Sequence, residues 1–169
     1  SKRDVDGCEI RSLTSAIDLS NKEIISGLIS HPNIDIDFIY KFRDDDMIYN
    51  FNPFIYSVYY NKIGIVELFI NSGKFNINQK CFKYKQNSFK IDVTALSLSI
   101  LMNNVDMVKL LLSQPNININ DKIKIVQYET NELTHQPLLF CAIHLQNIDI
   151  INLFLQNPNF DVNCSFTIT

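Results

Sequence analysis

The chain has 169 residues, of which 46% are apolar and 20% charged, with a formal net charge of −3. That is the make-up of one ordinary globular domain with a real core. The acidic balance argues against a nucleic-acid protein, which needs a basic face to displace phosphate counterions, while leaving a local basic patch open.

In chain order, the polar start "SKRDVDGCEI" shows no secretory signal pattern, so a cytoplasmic protein is expected, with the nucleus also open. Residues 11–28, "RSLTSAIDLSNKEIISGL", hold two short segments with apolar residues at helical spacing, broken at Ser20-Asn21, and run into "ISHPNIDID" at 29–37. Residues 38–51 read as a hairpin: "FIYKF", a polar turn "RDDD", then "MIYNF". Residues 52–69, "NPFIYSVYYNKIGIVELF", repeat the helix–turn–helix pattern, with Asn52 as N-cap, Pro53 at the first helical position and a turn at Asn61-Lys62. They lead into "INSGKFNIN" at 70–78. A second hairpin, "CFKYK", "QNS", "FKIDV", lies in 79–93. Thr94 caps "TALSLSILMNNVDMVKL", which turns at Asn103-Asn104 and ends in "LSQPNININ" at 112–120. A third hairpin, "KIKIVQY", "ETN", "EL", lies in 121–135. The last pair is "PLLFCAIHLQNIDIINLF" at 137–154, with its turn at Gln146-Asn147, followed by "LQNPNFDVN" at 155–163 and "CSFTIT". The apolar run "PLLFCAIHL" is far too short to span a bilayer.

The four nine-residue exits are offset by 41, 42 and 43 residues, as their positions show. Each second helix stops at one column, filled by Pro32, Gly73, Pro115 and Pro158. A period of this size marks stacked repeats, because one helix pair cannot bury its apolar face alone. "TALSLSILMNNVDMVKLLL", together with the tails "PNIDID", "GKFNIN", "PNININ" and "PNFDVN", resembles the ankyrin repeat over about residues 11–163. The family's T-P start is approached only by Asn52-Pro53, and its His column holds Thr14, Ile55, Ser97 and Phe140. The Ile- and Asn-rich style resembles protist members. The resemblance implies one all-α solenoid domain, 1–169, with helix pairs at 11–37, 52–78, 94–120 and 137–163. β-Hairpin fingers at 38–51, 79–93 and 121–135 are expected to project beside a concave face, longer than in the usual unit of about 33 residues.

Little in the chain points to chemistry. Cys8, Cys81, Cys141 and Cys164 are far apart, which suits buried free thiols in a reducing compartment. The sequon at Asn163-Cys164-Ser165 fits chance in a protein without a secretory signal. Cys141 and His144 have ligand-pair spacing on a helix but no second pair, so no metal is expected. Asp44-Asp45-Asp46 lacks the spaced ligands of a calcium loop and reads as a solvated turn. With isolated glycines and no visible nucleophile–base pair, neither an enzyme nor a cofactor or small-molecule substrate is expected.

The resemblance places two residues per unit on the groove just before each inter-helix turn: Asp18 and Leu19, Tyr59 and Tyr60, Leu101 and Met102, His144 and Leu145. Apolar side chains at such positions suit a protein partner. The rival reading is that the long fingers fold down and cover part of this stripe. Lys80, Lys83, Lys85 and Lys90, interleaved with Phe82, Tyr84 and Phe89, suit contact with an acidic partner or RNA, while the acidic total favours the alternative of a solvated hairpin face. The expected function is non-catalytic protein binding through Tyr59, Tyr60, Leu101, Met102, His144, Leu145, Phe82, Lys83, Tyr84 and Lys85. The alternatives are a structural or regulatory segment of a larger, enzymatic protein, and self-association. Unit one has a polar first helix, fit to close a stack. The helix "NIDIINLFL" of unit four is apolar on most sides, so further repeats, another domain or another copy are expected against it.

Overall fold

The computed structural model describes residues 3–4 and 12–168. Four helix pairs stack in sequence order: α1 (Ser12–Asp18) with α2 (Lys22–Ser30), α3 (Pro53–Tyr59) with α4 (Ile63–Ser72), α5 (Ala95–Leu101) with α6 (Val105–Leu112), and α7 (Leu138–His144) with α8 (Ile148–Leu155). Seven to ten residues make marginal helices in isolation, so the stack itself stabilises them. One continuous core runs through it, including Leu13, Ile25, Phe54, Phe69, Leu96, Val108, Ala142 and Phe154. Val108 and Ile150 are each fully buried, in successive layers.

The local signals act as their chemistry dictates. Asn52 Oδ1 accepts from Ile55 N at 2.8 Å, with Pro53 opening α3. Thr94 and Ser97 form a reciprocal capping box at the start of α5. Every inter-helix turn places its first residue in the left-handed region: Ser20, Asn61, Asn103 and Gln146, with φ between 51° and 56°. In three of the four turns the next residue then caps the second helix with its side chain. Asn21, Asn104 and Asn147 accept from the amides of Ile24, Met107 and Ile150. Gly73 (φ 63°) ends α4 in a left-handed cap.

The repeated exit loops join the layers. Asp35, Asn76, Asn118 and Asp161 occupy one column, and each side chain accepts the amide two residues on, at 2.9–3.2 Å. That turn presents Asn78, whose Nδ2 donates to Asn116 O at 2.7 Å and whose Oδ1 accepts from Asn118 N at 2.8 Å. Asn120 makes the same pair with Asn159 O and Asp161 N. The side chain of one layer therefore satisfies two backbone groups of the next, which is why N-x-N recurs.

The all-α expectation is wrong. The described residues contain a single antiparallel sheet of eight strands, paired in chain order. Three hairpins supply six of them: β2 (Tyr40–Asp44) with β3 (Met47–Phe51), β4 (Cys81–Lys85) with β5 (Phe89–Val93), and β6 (Lys122–Gln127) with β7 (Leu133–Pro137). Two-residue strands β1 (Arg3–Asp4) and β8 (Thr167–Ile168) extend its edges. The expected hairpin fingers also join one another, β3 pairing with β4 and β5 with β6. Geometry explains the merger. Packed helices lie about 8–10 Å apart, and a hairpin is two strands of about 4.8 Å each. One hairpin per layer therefore arrives in hydrogen-bonding register with the next.

Candidate interaction surface

Strand alternation divides the sheet into two faces. Tyr40, Phe42, Tyr49 and Phe51 of the first finger turn toward the helices and are buried. They meet Tyr56, Tyr59 and Tyr60, spaced to share one side of the C-terminal end of α3. Ring centroids stand 4.9 Å apart for Phe42 and Tyr49, 5.3 Å for Phe42 and Tyr56, and 4.9 Å for Tyr49 and Tyr59. Tyr56 Oη donates to Asp18 Oδ1 at 2.7 Å, and Tyr59 Oη donates to Asp44 Oδ2 at 3.0 Å. Burial, reinforced by these carboxylates, holds the Tyr56 and Tyr59 phenols well above their ordinary pKa. Burial and the charges of Asp44 and Asp18 push Tyr60 up to about 12. The first finger thus folds onto the second unit through seven rings, and Tyr59 is half-buried within that cluster.

The groove positions beyond it are more open. Leu19, Met102, His144 and Leu145 are exposed, while Tyr60 and Leu101 are half-buried. Leu19, Tyr60, Met102 and Leu145 fall in one column, one per layer, where each first helix ends. His144 Nδ1 lies 2.7 Å from Phe140 O, at the end of its own helix. Cys141 is buried, with its Sγ 3.9 Å from Pro137 O, whereas His144 is exposed.

The sequence run Phe82-Lys83-Tyr84-Lys85 is divided by the sheet. Lys83 is in register with the groove-side Tyr49 and Ile91, while Phe82 and Tyr84 face the other way. Burial lowers the Lys83 pKa. Lys85 pairs with Asp46 at 3.4 Å, Lys80 with Asp121 at 2.9 Å, and Lys90 with Asp92 at 3.6 Å, with Lys90 Nζ also 4.2 Å from the Phe82 ring centre. Three of the four lysines of the cluster therefore each stand beside a carboxylate. Asp45 and Asp46 are exposed at a finger tip, but Asp44 turns inward to Tyr59. Among the described residues no group of three His, Cys, Asp or Glu side chains converges as a metal site, and no helix is long and apolar enough to cross a membrane.

The fold-down of the first finger that the rival reading describes involves this ring cluster. Its signal was present as Tyr40/Phe42 and Tyr49/Phe51 at alternate positions beside Tyr56, Tyr59 and Tyr60 at helical spacing.

Stacked helix pairs joined by exit loops and hairpins define a repeat-built solenoid. The family model for ankyrin repeats (three copies) matches residues 16–123, and the chain belongs to the ankyrin repeat family. Ankyrin repeats are generally protein–protein interaction modules and typically not enzymes. Among solved structures, the chain is similar to the crystal structure of EF0377, an ankyrin repeat protein, with a TM-score of 0.62 at 15% identity, over 94% of this chain and 67% of that one. That likeness supports the shared fold. No curated protein matches the sequence.

Proposed function

We propose that this protein is a single non-catalytic binding domain that takes a partner protein on the concave side between the first helices and the sheet. The observation that carries this reading is the column Leu19, Tyr60, Met102 and Leu145: an apolar residue in each of four successive layers, at helix ends that are ordinarily polar. At a layer spacing of about 10 Å the column extends roughly 30 Å, long enough for an extended segment or a short helix. Leu101 and His144 flank it. Tyr59 packs against Tyr60 with ring centroids 4.9 Å apart, and Lys83 and Lys85 stand on the groove-side face of the second finger, with Phe82 and Tyr84 on the reverse face of that strand. The surface is built on packed helices and a continuous sheet, so little conformational freedom is lost on docking. Cys81, Cys141 and Cys164 are free thiols, which supports a reducing, cytoplasmic setting.

The test compares the native chain with Met102→Ser/Leu145→Ser as bait for crosslinking in the source cell. Both residues are exposed, so the thermal midpoint should hold while specific partners are lost. Unchanged recovery of every specific partner would remove the column from the site.

A further inference from the structure

One row of residues crosses the middle of the sheet on its groove side. By the strand pairing it reads Phe42, Tyr49, Lys83, Ile91, Ile125 and Thr134. Phe42 and Tyr49 are buried, and Ile91 and Ile125 pack against the core. Lys83 is the one charged side chain in this row, half-buried between Tyr49 and Ile91.

Lys80, Lys85 and Lys90 each have a carboxylate within 4 Å. Lys83 does not: among the described residues its ammonium has neither an ion pair nor a hydrogen bond. The carboxylates near the first finger are engaged elsewhere. Asp18 and Asp44 accept from Tyr56 and Tyr59, and Asp46 stands beside Lys85. Taking an ammonium partly out of water without a counter-charge costs free energy, and the lowered pKa of Lys83 has that cause.

Position completes the picture. β3 runs beside α3 and β5 beside α5, so β4 stands between the second and third layers. Lys83 therefore lies about midway along the column Leu19, Tyr60, Met102 and Leu145.

We propose that Lys83 determines the specificity of the groove: the partner lays an extended, largely apolar segment along the column and seats one Asp or Glu side chain on the Lys83 ammonium. This rests on the groove reading given above. The mid-groove position calls for an internal side chain rather than a chain end, because the apolar column continues on both sides of Lys83. A partner without the acid would leave the ammonium buried and unpaired, so selectivity comes from the penalty on the wrong segment.

The probe is a library of random peptides about ten residues long, enough to span roughly 30 Å when extended, displayed with free carboxyl ends. Selection on the native chain should return apolar peptides with one internal Asp or Glu. Replacing that acid with Asn or Gln should weaken binding about tenfold or more. Lys83→Met keeps the stem and removes the charge. It should hold or raise the thermal midpoint and weaken binding by a similar factor. In that variant the acid-to-amide replacement should cost little more, and Lys83→Gln serves the same cycle if Lys83→Met does not fold. Selected peptides without a common acid, or an acid whose loss costs the same in native and variant chains, would overturn the proposal. So would loss of binding on amidating the carboxyl end, which assigns Lys83 to a chain terminus. The two readings fail separately. Intact peptide binding in Met102→Ser/Leu145→Ser removes the column itself. Loss there, with binding unchanged in Lys83→Met, removes only the ion pair. A library that returns no peptide would overturn both.

Discussion

The Asn78 side chain holds the backbone of the next layer at Asn118, accepting its amide at 2.8 Å while donating to the carbonyl of Asn116 at 2.7 Å. Only a primary amide offers both functions from one side chain at this reach. Asp37 stands in the same column of unit one as a carboxylate, which can only accept.

Asn78→Asp should therefore keep the acceptor and lose the donor, with its charge placed near a carbonyl oxygen. A loss of about 1 kcal/mol is expected, read as a lower denaturant midpoint with an unchanged slope. Asn120→Asp should behave alike. Full stability in both variants would show that the two bonds contribute nothing net.

Asn61 occupies the left-handed region at φ 51° in the turn between α3 and α4. Its side chain is exposed, so the conformation decides the outcome. Asn61→Gly should stay within roughly 0.5 kcal/mol of the native chain, while Asn61→Val should cost roughly 1–2 kcal/mol. Equal stability of the two variants would contradict the assigned turn geometry.

The tyrosine cluster makes stability depend on alkaline pH. Unfolded tyrosines ionise near pH 10, whereas burial and nearby carboxylates push Tyr60 up to about 12 and Tyr56 and Tyr59 further. Above pH 10 the native state binds more protons than the unfolded state, so stability falls as pH rises. The contribution from Tyr60 is whole below about pH 10 and is lost progressively toward about pH 12. Urea midpoints measured from pH 9 upward should decline, and Tyr60→Phe should make the decline shallower. A flat profile across this window would show that these phenols are solvated.

Burial pushes the Cys81 and Cys141 thiols up to about 11, while Cys164 is only half-buried. The thiolate is the reacting species. A neutral alkylating reagent at pH 8 should therefore modify Cys164 well before Cys81 or Cys141, read by peptide mass. Early labelling of Cys81 would mean that the base of the second finger opens readily.

Much of the architecture was legible because it rests on short-range chemistry. Asn52-Pro53 and Thr94 signal helix starts through capping, and the pairs Ser20-Asn21, Asn61-Lys62, Asn103-Asn104 and Gln146-Asn147 signal turns. The alternating Phe82-Lys83-Tyr84-Lys85 signals a strand. The candidate contact surface was less legible. Tyr59 looks like an exposed helix-end residue in sequence, yet Asp44, 15 positions away, draws its hydroxyl inward. Phe82 to Lys85 look like one patch, yet the pleat sends them to opposite sides.

The amino-acid sequence alone determined the period, the helix–turn–helix unit, the three hairpins and the columns that must be apolar, since each depends on neighbours a few residues apart. The tertiary structure decided whether hairpins stay separate or join, which aromatics serve the core, and which repeated columns end up covered. Those outcomes depend on the match between layer spacing and strand spacing, and on which layer lies next, distances that no local window of residues contains.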